Sequence, residues 1–325
     1  MKYLLLIFTL ISLNTINSSI KRVSCEKEAR VYEKSTEKKP KVKALLLHMT
    51  HYDPSWNVRK ESEASFSLEA GLAILNKMKE SGFNTVILDI EDGVIYKSHP
   101  ELTRHYSVPM DELKQFADSA RELGIDFIPK LNFSRSGRNL HDKWLYPHWD
   151  ELNFVSNRAD YRKVALEVME EIISVCKPQN YFHIGMDEDH HRSLNQYVET
   201  IIFFDNYLKN KGLQTVVWND TAYENRDVIA QVHADKMKVA EPDLPKYITH
   251  IVWDYDLVHQ GLVQRLTDFG FEVWVAPGDN LERIEKWDKV MKNEGGDGFL
   301  FTKWIKCSDE NREILLNQID RLKFI

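Results

Sequence analysis

The stretch Tyr181-Phe-His-Ile-Gly-Met-Asp-Glu-Asp-His-His191 is an apolar run that ends in adjacent carboxylates. Its short length and β-forming residues predict a buried strand. Acidic groups are unfavourable in a buried strand, because a carboxylate removed from water without partners is strongly destabilising. Asp187 and Glu188, with Asp189 directly behind them, therefore indicate a functional site at the carboxyl end of this strand.

Seven similar apolar runs occur elsewhere in the chain, so the sequence predicts eight strands. They cover residues 44–49, 85–91, 126–132, 181–188, 214–220, 250–256, 272–278 and 298–304. The segments between them carry apolar residues at helical spacing, as in Leu68, Leu72, Leu75 and Met78, which precede Gly82 as a stop signal. Strand and helix therefore alternate throughout.

Eight strand and helix units in one chain of this length predict an α/β fold, namely a single-domain (β/α)8 TIM barrel. A doubly wound open sheet is the alternative. That fold usually has a glycine-rich turn after its first strand, whereas this chain has Thr50-His-Tyr-Asp-Pro-Ser-Trp56. The barrel is therefore favoured, and we assign it to residues 43–325.

The first 19 residues have the layout of a secretory signal peptide: Lys2, then an apolar run over residues 4–13, then small polar residues. Residues 20–42 are highly charged and predict a linker. We expect a secreted, periplasmic or cell-surface protein without membrane insertion after signal cleavage. Cys25 could accept a lipid anchor, but Arg22 and the distance to the apolar run argue against it.

Composition narrows the class of partner. The chain has 325 residues, a net charge of -7 and no block of basic residues, so it lacks the electrostatic footprint of a nucleic-acid-binding protein. The three cysteines, Cys25, Cys176 and Cys307, lie too far apart for a metal-binding motif, and Cys176 falls on an apolar helix face. A neutral or modestly polar ligand fits better, and the oligomeric state stays open.

Polar and aromatic side chains collect where the predicted strands end, which is where TIM barrels carry their active sites. Carboxylates and amides suit sugar hydroxyls, and flat aromatic faces stack on sugar rings. For each tryptophan the alternative is barrel packing. The candidate glycan-binding residues are Glu91, Asp92, Asn132, Trp218, Asp220, Trp253, Asp254, Tyr255, Trp274 and Trp304.

Several histidines and one lysine allow two interpretations. His183 either orients the acidic pair or is a core histidine, and Lys130 either binds a sugar or pairs with a carboxylate on a neighbouring strand. His190 and His191 with Asp189 could be taken for a metal cluster, but consecutive side chains seldom converge on one ion, so we expect a solvated loop and no metal. His141 lies in a long stretch, residues 133–154, which we interpret as a lid or subsite wall.

The stretch from His183 to Glu188 resembles the His-Ile-Gly-x-Asp-Glu motif of family 20 glycoside hydrolases, the β-N-acetylhexosaminidases. The resemblance extends to residues 88–92, 217–220, 252–255 and Trp304, and is strongest to the hexosaminidase D branch. Where many members have an arginine after the first strand, this chain has His48-Met49-Thr50, so His48 or His51 would take its place.

The resemblance implies a retaining, substrate-assisted mechanism in which the acetamido oxygen of the substrate attacks the anomeric carbon. Asp187 would orient the acetamido group and Glu188 would act as general acid and then as general base, without a metal or organic cofactor. The leading hypothesis is an exported enzyme that cleaves terminal β-linked N-acetylhexosamine. A glycosidase acting on a non-acetamido sugar and a non-catalytic carbohydrate-binding barrel are the alternatives.

Overall fold

The structure is a computed structural model, which describes residues 41–50, 63–136, 144, 145, 148, 149, 155–223 and 228–323. Residues from Lys41 to the end form one compact unit. The predicted signal peptide, most of the predicted linker, Cys25 and His141 lie outside the described residues. Among the helices that are described, none is long and apolar enough to cross a membrane.

Eight parallel strands close into a barrel, with each strand paired to its neighbours in chain order and β1 paired to β8. This confirms the predicted TIM barrel. The strands are β1 (Val42–His48), β2 (Thr85–Asp89), β3 (Asp126–Lys130), β4 (Tyr181–His183), β5 (Gln214–Asn219), β6 (Thr249–Trp253), β7 (Glu272–Ala276) and β8 (Gly298–Phe301).

One α-helix follows each strand in the described part of the chain. The helices are α1 (Leu68–Glu80), α2 (Met110–Glu122), α3 (Val155–Cys176), α4 (Leu194–Asn210), α5 (Val228–Ala240), α6 (Leu262–Asp268), α7 (Leu281–Glu294) and α8 (Arg312–Leu322). Helix ends follow local chemistry. The Ser67 hydroxyl accepts a hydrogen bond from the Ala70 N–H at the start of α1, and Gly82, at φ 75°, lets the chain turn after its end.

Alternation along the strands divides the apolar residues into two clusters. Side chains such as Leu46, Ile87 and Ile128 point inward and fill the barrel, whereas their neighbours in the strand pack outward against the helices. This two-residue period continues to the strand ends. A polar residue at the end of a strand therefore points either into the mouth of the barrel or into the layer beneath the helices.

Several strands end sooner than the apolar runs predict. β4 stops at His183 and β2 at Asp89, because the chain then enters a left-handed conformation that cannot continue the ladder. Glu91 has φ 43°, Met186 has φ 75° and Glu188 has φ 47°. Asp187 and Glu188 after β4, and Glu91 after β2, therefore lie on tight turns at the mouth of the barrel.

Candidate active site

The turn after β4 is built around Gly185. Its φ of 72° favours glycine, and a Cβ atom there would lie 2.1 Å from the Asn132 side-chain oxygen. The Met186 N–H donates to the same oxygen at 3.3 Å, and the Tyr197 hydroxyl donates to the Met186 carbonyl at 3.1 Å. These contacts hold the turn against β3 and α4, and so fix where the next two residues point.

Asp187 is held by Asn132. The Asn132 amide nitrogen donates to Asp187 Oδ1 at 2.8 Å, while its oxygen accepts the Ser134 N–H at 3.0 Å. With both ends of the amide engaged, Asn132 has one orientation, and Asp187, only 6% exposed, has a fixed donor. The predicted role of Asn132 as a sugar ligand is therefore replaced in this geometry by that of a support for Asp187.

Glu188 is held differently, through its backbone. Its N–H donates to Asp220 Oδ2 at 2.8 Å, and its side chain is half-buried. The other oxygen of Asp220 accepts the Trp253 indole N–H at 2.8 Å. Asp220 therefore links the acidic turn to the end of β6.

Burial and the nearby charge of Asp187 raise the pKa of Asp220 to about 8. The Asp220 carboxyl group is therefore mostly protonated at neutral pH. This protonation reduces the repulsion among the three carboxyl groups of Asp187, Glu188 and Asp220.

A buried ion-pair network lies at the ends of β1, β2 and β3. Asp89 accepts from Lys130 Nζ at 2.8 Å and lies 3.1 Å from His48 Nδ1. Burial opposes ionisation of Asp89, but Lys130 and the His48 hydrogen bond outweigh it and hold the pKa of Asp89 below its ordinary value. Likewise, burial opposes the charge of Lys130, but Asp89 outweighs it and raises the pKa of Lys130. The ion-pair interpretation of Lys130 is the one that this geometry supports.

Asp89 is not among the glycan-binding candidates predicted from the sequence, and for Lys130 the sequence left a sugar ligand and an ion pair open. The signal that could have found them is the two-residue period: Ile87 and Ile128 point into the barrel, so Asp89 and Lys130 must do so too. Glu91 is nearly buried and its charge also acts on Lys130, which associates Glu91 with the same network.

His183 lies in the barrel interior beside this network. Its Nδ1 accepts the Gly185 N–H at 3.0 Å, which assigns the proton of the neutral ring to Nε2. Burial and then the charge of Lys130 lower the pKa of His183 well below its ordinary value. A neutral, fully buried His183 therefore supports the turn from below, a position that fits both the orienting role and the core role considered for it.

Aromatic side chains line the opposite half of the mouth, at the ends of β5, β6 and β8. The Trp304 indole N–H donates to the Tyr255 hydroxyl at 3.2 Å, and its ring lies 6.3 Å from that of Trp218. Trp253 lies 5.7 Å from Tyr255 and 4.1 Å from Tyr223, measured between ring centroids. Tyr223 was not anticipated, because it follows the strand in a 3-10 turn.

Three candidate residues lie elsewhere, which corrects the prediction. Trp274 is 0% exposed and its indole N–H donates to Glu272, the first residue of β7, at 3.0 Å, so it packs in the floor of the barrel. Asp254 follows the inward-facing Trp253 and accepts the Asp256 and Leu257 N–H groups in the next loop. Asp92 is buried and accepts the Tyr106 hydroxyl at 3.1 Å. Both carboxylates hold loops together.

The loop after Glu188 is also different from the expected solvated segment. Asp189 is buried and pairs with Arg192 and with Lys236 of α5, while His191 is exposed. Within the described ranges, no group of three or more His, Cys, Asp or Glu side chains is arranged to hold a metal ion. Trp144, from the predicted lid, is buried and donates its indole N–H to the Asn132 carbonyl at 2.8 Å.

The fold and the site together define a TIM barrel whose mouth holds an acidic pair between a charged half and an aromatic half. No protein-family model and no curated protein matches the sequence. Among solved structures, a GH20 exo-β-N-acetylglucosaminidase from Vibrio harveyi matches with a TM-score of 0.57 and 13% identity, over 88% of this chain and 54% of that one. This chain thus spans about half the length of the Vibrio enzyme.

Two further solved structures resemble the barrel. A pneumococcal exo-β-D-N-acetylglucosaminidase with tandem GH20 catalytic modules matches with a TM-score of 0.56 and 14% identity, over 89% of this chain and 83% of that one. An endo-β-1,4-mannanase from Thermotoga petrophila matches with a TM-score of 0.51 and 12% identity, over 89% and 78%. At these identities the likeness establishes a shared fold.

Proposed function

We propose that the protein is a glycoside hydrolase that cleaves terminal β-linked N-acetylhexosamine, in the N-acetylglucosamine or N-acetylgalactosamine form, by a retaining, substrate-assisted mechanism. The observation that carries the proposal is the unequal support of two adjacent carboxylates. Asp187 is buried and its side chain is bound by Asn132, whereas Glu188 is half-buried and anchored through its backbone. One is suited to hold a group still, and the other to exchange protons with a ligand and with water.

In the first step, the acetamido carbonyl oxygen attacks the anomeric carbon while the bond to the leaving oxygen breaks. The proton of the Glu188 carboxyl group passes to that oxygen. Asp187 accepts a hydrogen bond from the acetamido N–H and stabilises the positive charge that develops on the oxazolinium ring. Asn132 holds Asp187 in the orientation that this step requires.

In the second step, Glu188 removes a proton from water as the water attacks the anomeric carbon and the ring reopens. The result is a sugar with its original anomeric configuration and a reprotonated Glu188. The aromatic half of the mouth offers the ring faces of Trp253, Tyr255 and Trp304 for the sugar and for the acetamido methyl group, with the buried Trp218 packed near Trp304.

Two features support the acetamido assignment: the motif at residues 183–188, most similar to the hexosaminidase D branch, and the likeness in fold to the GH20 enzymes. The amino-terminal pattern supports export, so we place the enzyme outside the cytoplasm, with glycans as its substrates.

A second candidate is a glycosidase that acts on a non-acetamido sugar. It is favoured by the network of His48, Asp89 and Lys130, where the family pattern has an arginine after the first strand. The similar fold of an endo-β-1,4-mannanase is compatible with it. This candidate predicts that removing the acetamido group from a substrate leaves turnover intact.

The decisive experiment compares aryl N-acetyl-β-glucosaminide and N-acetyl-β-galactosaminide with the matching glycosides that lack the acetamido group. We expect turnover of the acetamido substrates only. Glu188→Gln should lower kcat by about a hundred-fold to ten-thousand-fold, which is the usual contribution of a general acid. The matched control is Glu282→Gln, an exposed glutamate paired with Lys286 on α7.

Turnover of the non-acetamido glycosides at comparable rates would establish the second candidate instead. Saturable sugar binding without turnover of any glycoside would indicate a carbohydrate-binding barrel.

A further inference from the structure

Two histidines outside the proposed reaction pack against each other next to Glu188. His190 follows the acidic turn by two residues, and His233 lies on α5. Their ring centroids are 3.9 Å apart and the rings meet edge to face, at 81°. Residues from two separate elements therefore form one imidazole pair.

The pair has unmet hydrogen-bonding capacity. Both ring nitrogens of His190 and Nδ1 of His233 are buried without a hydrogen-bond partner, and His233 is only 5% exposed. Leaving a buried donor or acceptor unsatisfied costs about 1–3 kcal/mol, and folded proteins keep few such atoms. These three atoms, concentrated in one pair of rings, leave hydrogen-bonding capacity that a bound hydroxyl group would satisfy.

The pair is neutral at neutral pH. Burial lowers the pKa of His190, and burial together with His190 lowers the pKa of His233 to about 4. The other negative charge that acts on both rings is that of Asp189, which already pairs with Arg192 and Lys236. Each neutral imidazole has one N–H donor and one bare nitrogen acceptor, the combination that suits hydroxyl groups.

The position of the histidine pair relative to Asp187 and Glu188 indicates which part of a substrate the pair would contact. The charge of Glu188 acts on both imidazoles. That of Asp187 acts on Lys130 in the barrel interior, and both carboxylates act on Asp220, Asp187 more strongly. A general acid must lie beside the leaving oxygen, so groups next to Glu188 line the space into which the leaving group extends.

We infer that His190 and His233 form the subsite for the leaving group, and that this group is hydroxylated, as in a second sugar residue. The inference rests on the proposed function, because it takes Glu188 as the general acid. The leaving group is then a glycan chain, whose hydroxyls would satisfy the ring nitrogens, rather than an apolar aglycone.

The kinetic test uses two substrates that share the cleaved sugar. One is an aryl N-acetyl-β-glucosaminide, and the other is the disaccharide in which N-acetylglucosamine is β-linked to a second N-acetylglucosamine. In His190→Phe and His233→Phe, which keep a flat ring without nitrogen, kcat/KM for the disaccharide should fall about ten-fold further than kcat/KM for the aryl glycoside. Val232→Ala, at a 54% exposed neighbour on α5, is the control.

Equal losses for the two substrates, or no loss for either, would overturn the inference. Hydrolysis of the aryl glycoside by the unaltered protein tests the proposed function separately. For variants with too little activity, calorimetry on Glu188→Gln measures how much more tightly the disaccharide binds than the monosaccharide. Adding His233→Phe should remove most of that difference, and an unchanged or absent difference would also overturn the inference.

Discussion

The charged half and the aromatic half of the barrel mouth both fill the interior of the barrel, but they do so with different kinds of side chain. At the ends of β1, β2 and β3, the charges of Asp89 and Lys130 pair with each other, and His48 adds a hydrogen bond. At the ends of β5, β6 and β8, indole and phenol rings pack at centroid distances of several ångströms. The first half satisfies its polar groups internally, whereas the second presents ring faces that a ligand can cover.

This contrast indicates a division of roles. A buried ion pair is costly to break, so the charged half is suited to fix the geometry of its neighbours. Ring faces have no directional bond to lose, so the aromatic half can accept a sugar ring and release it. The acidic turn after β4 lies between the two halves, supported by Asn132 after β3 on one side and by Asp220 after β5 on the other.

The largest expected effect is on stability, from breaking the charged half. Lys130→Met leaves Asp89 buried beside His48 without its ammonium partner, and should lower the free energy of unfolding by about 3–5 kcal/mol. Urea denaturation measures this. Lys286→Met, which removes an exposed i,i+4 partner of Glu282, should change the free energy of unfolding far less, because water screens that pair.

A double variant, Lys130→Met with Asp89→Leu, should recover much of the loss, because neither charge of this pair then stays buried without the other. A loss for Lys130→Met as small as that for Lys286→Met would show that the network does not stabilise the fold.

The next effect is on catalysis. Asp187→Asn removes the charge that faces the acetamido group, and should lower kcat/KM for an acetamido substrate by about a hundred-fold to a thousand-fold, as for the loss of one well-placed stabilising group. The free energy of unfolding should change far less than in Lys130→Met. Asp235→Asn, at an exposed position on α5, is the matched control. Retained activity in Asp187→Asn would remove this residue from the mechanism.

The third effect is on the pH dependence of stability through Asp220, and for each pH unit it is smaller than the loss in Lys130→Met. The raised pKa means that folded protein binds this proton more tightly than unfolded protein, so the contribution to stability is full below the ordinary pKa near 4. It is lost as pH rises toward about 8. Between these values the unfolding free energy should fall by up to about 1.4 kcal/mol per pH unit from this group alone.

Asp220→Asn should abolish that pH dependence. An amide cannot accept both the Glu188 N–H and the Trp253 N–H, so the variant also carries a constant loss of stability. The informative quantity is therefore the slope of unfolding free energy between pH 5 and pH 8, measured by denaturation at several pH values. Parallel slopes in the variant and the unaltered protein would contradict the raised pKa.

The fold could be predicted from the sequence because the pattern of an apolar run followed by a helical segment is repeated along the chain. Eight apolar runs alternating with helical patterns leave few other topologies, and helix stops such as Gly82 are local. The end of β2 was placed too far along because the left-handed turn at Glu91 uses a residue other than glycine, which gives no local signal.

The site was harder to predict, because proximity in sequence is a poor guide to which way a side chain points. Asp254 follows Trp253 yet points away from it, whereas Asp89, two residues before the predicted Glu91, points into the barrel. The pairing of His190 with His233 depends on how α5 packs against the turn, which the sequence pattern does not specify.

The smallest expected effect comes from removing the same type of hydrogen bond at each end of the barrel in turn. The Trp253 indole N–H donates to Asp220 at the mouth, and the Trp274 indole N–H donates to Glu272 at the floor. Phenylalanine at either position keeps an aromatic ring and removes one hydrogen bond to a carboxyl group, so each variant should lose about 1–2 kcal/mol of unfolding free energy.

Only the change at the mouth should affect catalysis, since Asp220 also holds the Glu188 backbone. We expect Trp253→Phe to lower kcat/KM about three-fold to ten-fold, and Trp274→Phe to leave kcat/KM within two-fold at a temperature where both are folded. Steady-state kinetics beside thermal denaturation separates the two effects. If Trp274→Phe reduced kcat/KM as much as Trp253→Phe, the floor and the mouth would be coupled, and the assignment of Trp274 to the core alone would be wrong.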